Sequence, residues 1–140
     1  MNDCIFCKII NHEIDCFPIY EDDDVIAFLD LFPKSENPGH TLVVPKQHQC
    51  YIYEGDFNFD LMKKVNHVAR IMQAMFNFNG LKIINNNGEL AGQEIKHVHV
   101  HLVPYYEENN PLQCLSVEEV YEYTKNSKNY TSLSSKNDFV

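Results

Sequence analysis

Histidines occupy positions 97, 99 and 101, separated by Val98 and Val100 and followed by Leu102 and Val103. Imidazole titrates nearest neutral pH and is the commonest metal ligand. Three at alternate positions therefore point to acid–base work, nucleophilic attack, metal binding or a mixture. The polar–apolar alternation from 97 to 102 predicts a strand with all three rings on one face. Alternate strand residues lie roughly 6.5–7 Å apart and the outer pair about 13 Å apart, whereas a zinc–nitrogen bond is about 2.0–2.1 Å. Two of the rings can share one ion, but three along a regular strand cannot easily converge on it. At least one has another task. The plainer alternative is a surface strand with incidental metal affinity.

Cys4 and Cys7 form a Cys-x-x-Cys pair. A redox reading expects a thioredoxin-like βαβ start, which this chain lacks. A zinc reading needs two more ligands, and His48, after Pro45-Lys46-Gln47, and His97 could supply them. Cys4, Cys7, His48 and His97 would close a structural Zn2+ site, one per chain, pinning the N-terminal segment to the sheet. His48 as an ordinary loop histidine is the alternative. His99 is then the nucleophile candidate, because an imidazole nitrogen attacks phosphorus or carbonyl centres when its other nitrogen is held by an acceptor. His101 and His40 could donate to a phosphate or protonate a leaving group. Gly92-Gln93 could bring backbone N–H groups and an amide to a phosphate oxygen. The chain has no Walker-type loop and no dinucleotide fingerprint.

These side chains need a frame. Residues 4–10 predict one or two helical turns. Short strands are expected at Ile19-Tyr20, 25–30, 40–45 and 81–85, in addition to the histidine strand from 97. Residues 31–39, with Pro33, Asn37, Pro38 and Gly39, read as a loop. Residues 60–77 carry apolar side chains at helical spacing, with Asp60 as N-cap and Asn79-Gly80 as the stop. Ser116 and Glu119 predict a capping box for a helix over 116–124. Residues 125–138 read as a flexible tail. Strands and helices do not alternate regularly, so the fold class is α+β with an antiparallel sheet.

The chain of 140 residues is long enough for one core. Its net charge of −9 argues against nucleic acid as a partner. The acidic runs at 21–24, 107–108 and 118–119 read as solvated. No stretch approaches the roughly 18–20 apolar residues of a membrane helix. The first residues show no export signal, and the five cysteines are an odd number, so a cytoplasmic protein without a disulfide framework is expected.

His97-Val98-His99-Val100-His101-Leu102-Val103 matches the pattern of the histidine-triad (HIT) family. The chain resembles its small bacterial, zinc-containing type over roughly residues 4–105. Cys4-Ile5-Phe6-Cys7, Ala27-Phe28-Leu29-Asp30, Gly39-His40-Thr41-Leu42-Val43-Val44-Pro45-Lys46, Asn85-Asn86-Asn87-Gly88 and Ala91-Gly92-Gln93-Glu94 carry the resemblance in order. It implies a five-stranded antiparallel sheet with one long helix and short terminal helices, and a homodimer whose sheets join into one of ten strands. It implies hydrolysis or transfer at a nucleotide α-phosphate through a nucleotidyl-histidine on His99, aided by His101 and His40. Gln93 and Asn86 match phosphate contacts, Asp30 matches the carboxylate that holds the ribose hydroxyls, and Phe28 lies beside the nucleoside. The zinc ligands match Cys4, Cys7, His48 and His97. Two departures stand out. The link from Asp30 to His40 is longer than the family pattern around residues 34–37, and position 94 is Glu where the eukaryotic branch has Ser.

The reading is a HIT domain over 1–115, followed by a short helix and tail over 116–140. Its substrates are purine nucleoside phosphoramidates or related AMP conjugates. A dinucleoside polyphosphate hydrolase of the same family and a nucleotide-binding regulatory module with little turnover are the alternatives. Catalytic metal chemistry at the histidine row is a weaker third.

Overall fold

Alternation along the strands gives the sheet two different faces, and both are covered. The structure, a computed structural model, describes residues 3–33, 37–107 and 110–125. Strands β1 (Pro18–Glu21), β2 (Val25–Leu29), β3 (Thr41–Pro45), β4 (Gly80–Ile84) and β5 (Val100–Tyr105) form one antiparallel sheet in the order β1-β2-β3-β5-β4. Helices α1 (Ile5–Ile10), α2 (Leu61–Phe76) and α3 (Val117–Lys125) surround it. Two 3-10 turns, Glu89–Ala91 and Pro111–Cys114, complete the described elements. The observed class is that expected from the sequence. Residues 34–36 of the long Asp30–His40 link, and the tail beyond residue 125, lie outside the described residues.

On one face Val25, Ala27, Leu29, Val43, Val100 and Leu102 meet Val65, Val68, Ile71, Met72, Met75 and Phe76 of α2 in the main core. Val120 of α3 joins the same cluster. On the other face Ile26, Phe28, Leu42 and Val44 pack against Phe6 and Ile9 of α1. Because α1 and α2 sandwich the middle of the sheet, every residue of β2 and β3 is buried. That explains their unbroken apolar runs. Burying so much apolar surface, at about 25 cal/mol per Å², is the main drive for docking both helices.

Three sequence expectations are corrected here. Helix α2 stops at Asn77, not at Asn79-Gly80. Asn77 takes the left-handed conformation (φ 51°), and its N–H donates to the Gln73 carbonyl. Asparagine tolerates this geometry, which leaves Gly80 free to open β4. The histidine strand begins at Val100, not at His97. Beyond the Val43–Val100 pair the β3–β5 ladder stops, although β3 runs on to Pro45 against β2, and the Val98 N–H donates instead to the Gln49 carbonyl (2.8 Å). The acidic run at 21–24 is not simply solvated. Asp22 is buried and accepts from the Tyr20 hydroxyl (2.7 Å), the Val25 N–H (2.9 Å) and the Lys64 ammonium (2.8 Å). Burial opposes its charge, but these donors outweigh it and hold its carboxyl below the usual range. The cluster ties α2 to the β1–β2 turn.

The predicted helix caps are present. The Asp60 carboxylate accepts from the Lys63 N–H (3.1 Å). Ser116 and Glu119 exchange side chain-to-backbone bonds of 2.9 and 3.2 Å, closing the capping box of α3. None of the five cysteines is in a disulfide, and no helix among the described residues is long and apolar enough to cross a membrane.

Candidate active site and metal centre

Alternation on β2, β3 and β5 puts Phe28, Leu42 and His101 on the α1 face, in register across three strands: Phe28 pairs with Leu42, and Leu42 with His101. One step along, the Asp30 N–H donates to the His40 carbonyl (2.9 Å), so Asp30 and His40 face each other at the mouth of the 31–39 loop. His99 continues the row on extended backbone before β5. Its ring lies 4.9 Å from that of His101 and 5.0 Å from that of Phe6. Phe6 also packs edge-on to Phe28 and His97, both at 5.8 Å.

The helical turn of α1 presents both cysteines toward the sheet, and the Gln49–Val98 bond draws the loop after β3 beside His97. Cys4, Cys7, His48 and His97 thereby converge, with all four donor atoms within 4.8 Å of one another. Individual separations are 3.0 Å (His48 Nδ1 to His97 Nδ1), 3.2 Å (Cys7 Sγ to His48 Nδ1), 3.4 Å (Cys4 Sγ to His97 Nδ1) and 3.6 Å (Cys7 Sγ to His97 Nδ1). Bonds of about 2.3 Å to sulfur and 2.0–2.1 Å to nitrogen would set tetrahedral ligand atoms about 3.3–3.8 Å apart. Hydrogen bonding also prepares the donors. His97 Nε2–H donates to the Pro45 carbonyl (2.8 Å), which leaves the Nδ1 lone pair facing the thiols. Burial pushes the Cys7 thiol up to about 11, helped by Cys4. A cation among the four groups would reverse that by favouring the thiolate. The donor set and its spacing fit a divalent metal.

His99 is oriented the opposite way. Its Nδ1–H donates to the His97 carbonyl (2.8 Å), so Nε2 carries the free lone pair. Burial lowers its proton affinity, opposed by that hydrogen bond and by the charges of Asp30 and Glu94. The ring lines a cavity of about 600 Å³ between α1 and the sheet, together with Phe28, Asp30, Asn86, Glu94 and His101. Ile5, Ile9, Ile95 and Leu42 make the far walls apolar. His40 sits just outside it. Its Nε2 is 3.0 Å from His101 Nδ1, and its Nδ1 is 3.5 Å from Asp30 Oδ2. With the carboxylate taking the His40 Nδ1 proton, His101 Nδ1–H donates to His40. A carboxylate–imidazole–imidazole chain then runs along one end of the cavity.

Gln93, expected as a phosphate contact, has both of its amide atoms bonded within the chain. It is buried, its Oε1 accepts from the Gly88 N–H and its Nε2 donates to the Cys50 carbonyl, each at 2.7 Å. In this structure the amide braces two loops, while Gly92 and Glu94 on either side of it face the cavity. Asn86 also lines it, with its amide 3.5 Å from the Gly92 carbonyl. Sequence reasoning missed two contributors: Phe6, and the Pro45 carbonyl. The position of Phe6 between the two cysteines was the available signal, since any turn carrying both thiols to the sheet carries that ring with them.

Comparison with known proteins agrees with this geometry. The HIT domain profile matches residues 11–108. The chain is 48% identical over 106 residues to an uncharacterized HIT-like protein of Methanocaldococcus jannaschii, covering 74% of this chain and 80% of that one. It is 38% identical to an adenosine 5'-monophosphoramidase of Saccharomyces cerevisiae, covering 78% and 66% of the two chains. A zinc-bound histidine triad family protein of Mycobacterium smegmatis superposes with a TM-score of 0.75 at 26% identity, over 94% of this chain and 96% of that one. The chain belongs to the HIT domain family, whose named members include nucleotide hydrolases.

The buried imidazoles set a pH dependence. Burial, reinforced by neighbouring rings, brings His97 and His101 down to about 4. In the unfolded chain both take up protons near the ordinary histidine value of about 6.5. Between these values the unfolded state binds more protons, so stability is fully present above about pH 6.5 and is lost as pH falls toward about 4. Thermal melts across this window should show a falling Tm, with a shallower slope in His101→Asn. An identical slope in the variant would remove His101 from the account.

Proposed function

We propose that this protein hydrolyses AMP conjugates, chiefly purine nucleoside phosphoramidates, through a nucleotide covalently held on His99. The carrying observation is the His99 ring itself: Nδ1–H is fixed on the His97 carbonyl, and the bare Nε2 lines a cavity large enough for a nucleoside. The relationship to the yeast monophosphoramidase supports the substrate class. The base would lie among the apolar walls against Phe28, and the ribose hydroxyls would reach Asp30. The phosphate would lie against His101, His40 and Asn86.

In the first step His99 Nε2 bonds to phosphorus as the P–N bond breaks. The departing nitrogen keeps the bonding pair and takes a proton from the His101–His40 pair, whose proton affinity an adjacent phosphate anion raises. The nucleotidyl-imidazolium keeps its Nδ1–H on the His97 carbonyl. Water then attacks phosphorus and returns a proton to the His101–His40 pair, the P–N bond to His99 breaks with its electron pair going to Nε2, the mononucleotide leaves, and neutral His99 is restored. Replacing His99 by Ala should lower kcat by about 10³-fold or more. A rapid quench of the wild type should show one nucleotide on the peptide bearing His99 by mass spectrometry. Full activity without His99 would contradict the mechanism.

In this reading the metal is zinc, one per chain, and it is structural, because four protein ligands leave no open position. It would hold α1 and the 46–49 loop to the start of the histidine row. Elemental analysis should find one zinc per chain, absent from a Cys4→Ser/Cys7→Ser double variant whose Tm is lower but which keeps residual turnover. Metal that persists in that variant and is required for turnover would reverse the assignment.

The working form in this reading is a homodimer joined through β4. That strand ends the sheet with no neighbour among the described residues, and Ile83 on it is 49% exposed. An unpaired edge with an apolar side chain is a template for strand addition. Sedimentation should give a dimer that Ile83→Lys weakens. A wild-type monomer would rule this form out.

A further inference from the structure

A second cavity of about 330 Å³ opens beside the nucleotide cavity on the same face of the sheet. The two share Phe32, Asn86 and His101 as walls. The second is lined by His40 but not by His99, and the first by His99 but not by His40. His101 therefore stands between them, 4.9 Å from the His99 ring on one side and 5.2 Å from the His40 ring on the other. In-line displacement expels the group opposite the attacking atom. With the nucleoside beside His99 and the phosphate against His101, the departing group points away from His99 and into this second cavity.

The charge of its lining is distinctive. On a chain with a net charge of −9, the described residues that line this cavity include Lys82 and no carboxylate. Lys82 pairs in register with Val103 of β5, the short side chain that leaves the space open. Thr41, next to His40, pairs with Leu102, next to Val103, so Lys82 lies across the sheet from His40. The ammonium sits 5.2 Å over the Tyr105 ring and makes no ion pair among the described residues. By contrast, Lys46, Lys64 and Lys96 each hold a carboxylate.

We propose that this cavity is the leaving-group subsite and that Lys82 selects conjugates whose departing amine carries an anionic group, such as a carboxylate. This rests on the hydrolase reading above. The bond changes are those already given. The P–N bond breaks, the amine leaves with its pair and a proton, and its carboxylate stays on the Lys82 ammonium. Lys82 touches only the departing part of the substrate and is a specificity residue.

The test compares two adenosine phosphoramidates of nearly equal size, one made from 4-aminobutyrate and one from its carboxamide. The wild type should prefer the carboxylate in kcat/KM. Lys82→Met should lower kcat/KM for the carboxylate about fivefold, as expected for loss of one exposed charge pair. It should leave the amide within about twofold, and Lys82→Glu should reverse the preference. Lys82 lies on the β4 edge beside Ile83, so any change in assembly or Tm acts on both substrates alike, and the carboxylate-to-amide ratio within each variant isolates the charge contact. Turnover of both substrates with no preference, or an equal loss on both in Lys82→Met, would overturn this proposal alone. No turnover of either substrate by the wild type would overturn the hydrolase reading and this proposal with it.

Discussion

His97 is the joint on which the site depends. Its Nε2–H is committed to the Pro45 carbonyl, its Nδ1 faces two thiols and a second imidazole, and its own carbonyl takes the His99 Nδ1–H. Three partners of one residue thus fix the loop after β3, the N-terminal helix and the tautomer of the neighbouring ring. An imidazole with free rotation would share its proton between both nitrogens. Here the carbonyl removes the choice, and the ring beside the cavity presents one lone pair. The candidate metal centre and the candidate nucleophile are two sides of one short, irregular piece of backbone.

That irregularity is functional in its consequences. A regular strand through 97–101 would pair its backbone with β3 and leave the His97 carbonyl in a ladder. Instead β3 ends at Pro45, whose carbonyl turns to the His97 ring, and the Val98 N–H finds Gln49. The rest of the sheet is regular because it must be rigid. β2 and β3 are buried on both sides, with α2 locked to the β1–β2 turn through Lys64 and Asp22. Phe28, Asp30 and His40 are carried by those two strands or lie within one residue of their ends, and His101 is on β5, paired with Leu42 of β3. This is how side chains from distant parts of the sequence keep a common geometry.

Much of this arrangement was legible in the sequence, for physical reasons that differ from part to part. The faces of β2, β3 and β5 follow from alternation, which survives even where hydrogen-bonded pairing stops, so the three histidines lie along one face although only His101 is in the strand proper. The convergence of Cys4, Cys7, His48 and His97 was readable because metal-ligand chemistry admits few residue types. Long-range partners of polar groups were not readable. Nothing local says that Gln93 spends its amide on Gly88 and Cys50, or that Asp22 meets a lysine on α2, since both depend on how separate segments pack. The end of α2 was misplaced because Asn77 and Asn79-Gly80 offer similar stop chemistry, and only the start of β4 decides between them.

The central claim is that the His97 carbonyl holds His99 as a neutral ring protonated on Nδ1 and bare on Nε2. Nitrogen NMR of the protein labelled with 15N in its histidine rings reads this directly near neutral pH. The account predicts that His99 gives a protonated Nδ1 coupled to a hydrogen-bonded proton and an unprotonated Nε2. It also predicts that a His97 ring free of metal shows the reverse tautomer, with Nε2 protonated. A His99 ring bare on Nδ1, or carrying protons on both nitrogens at that pH, would contradict it.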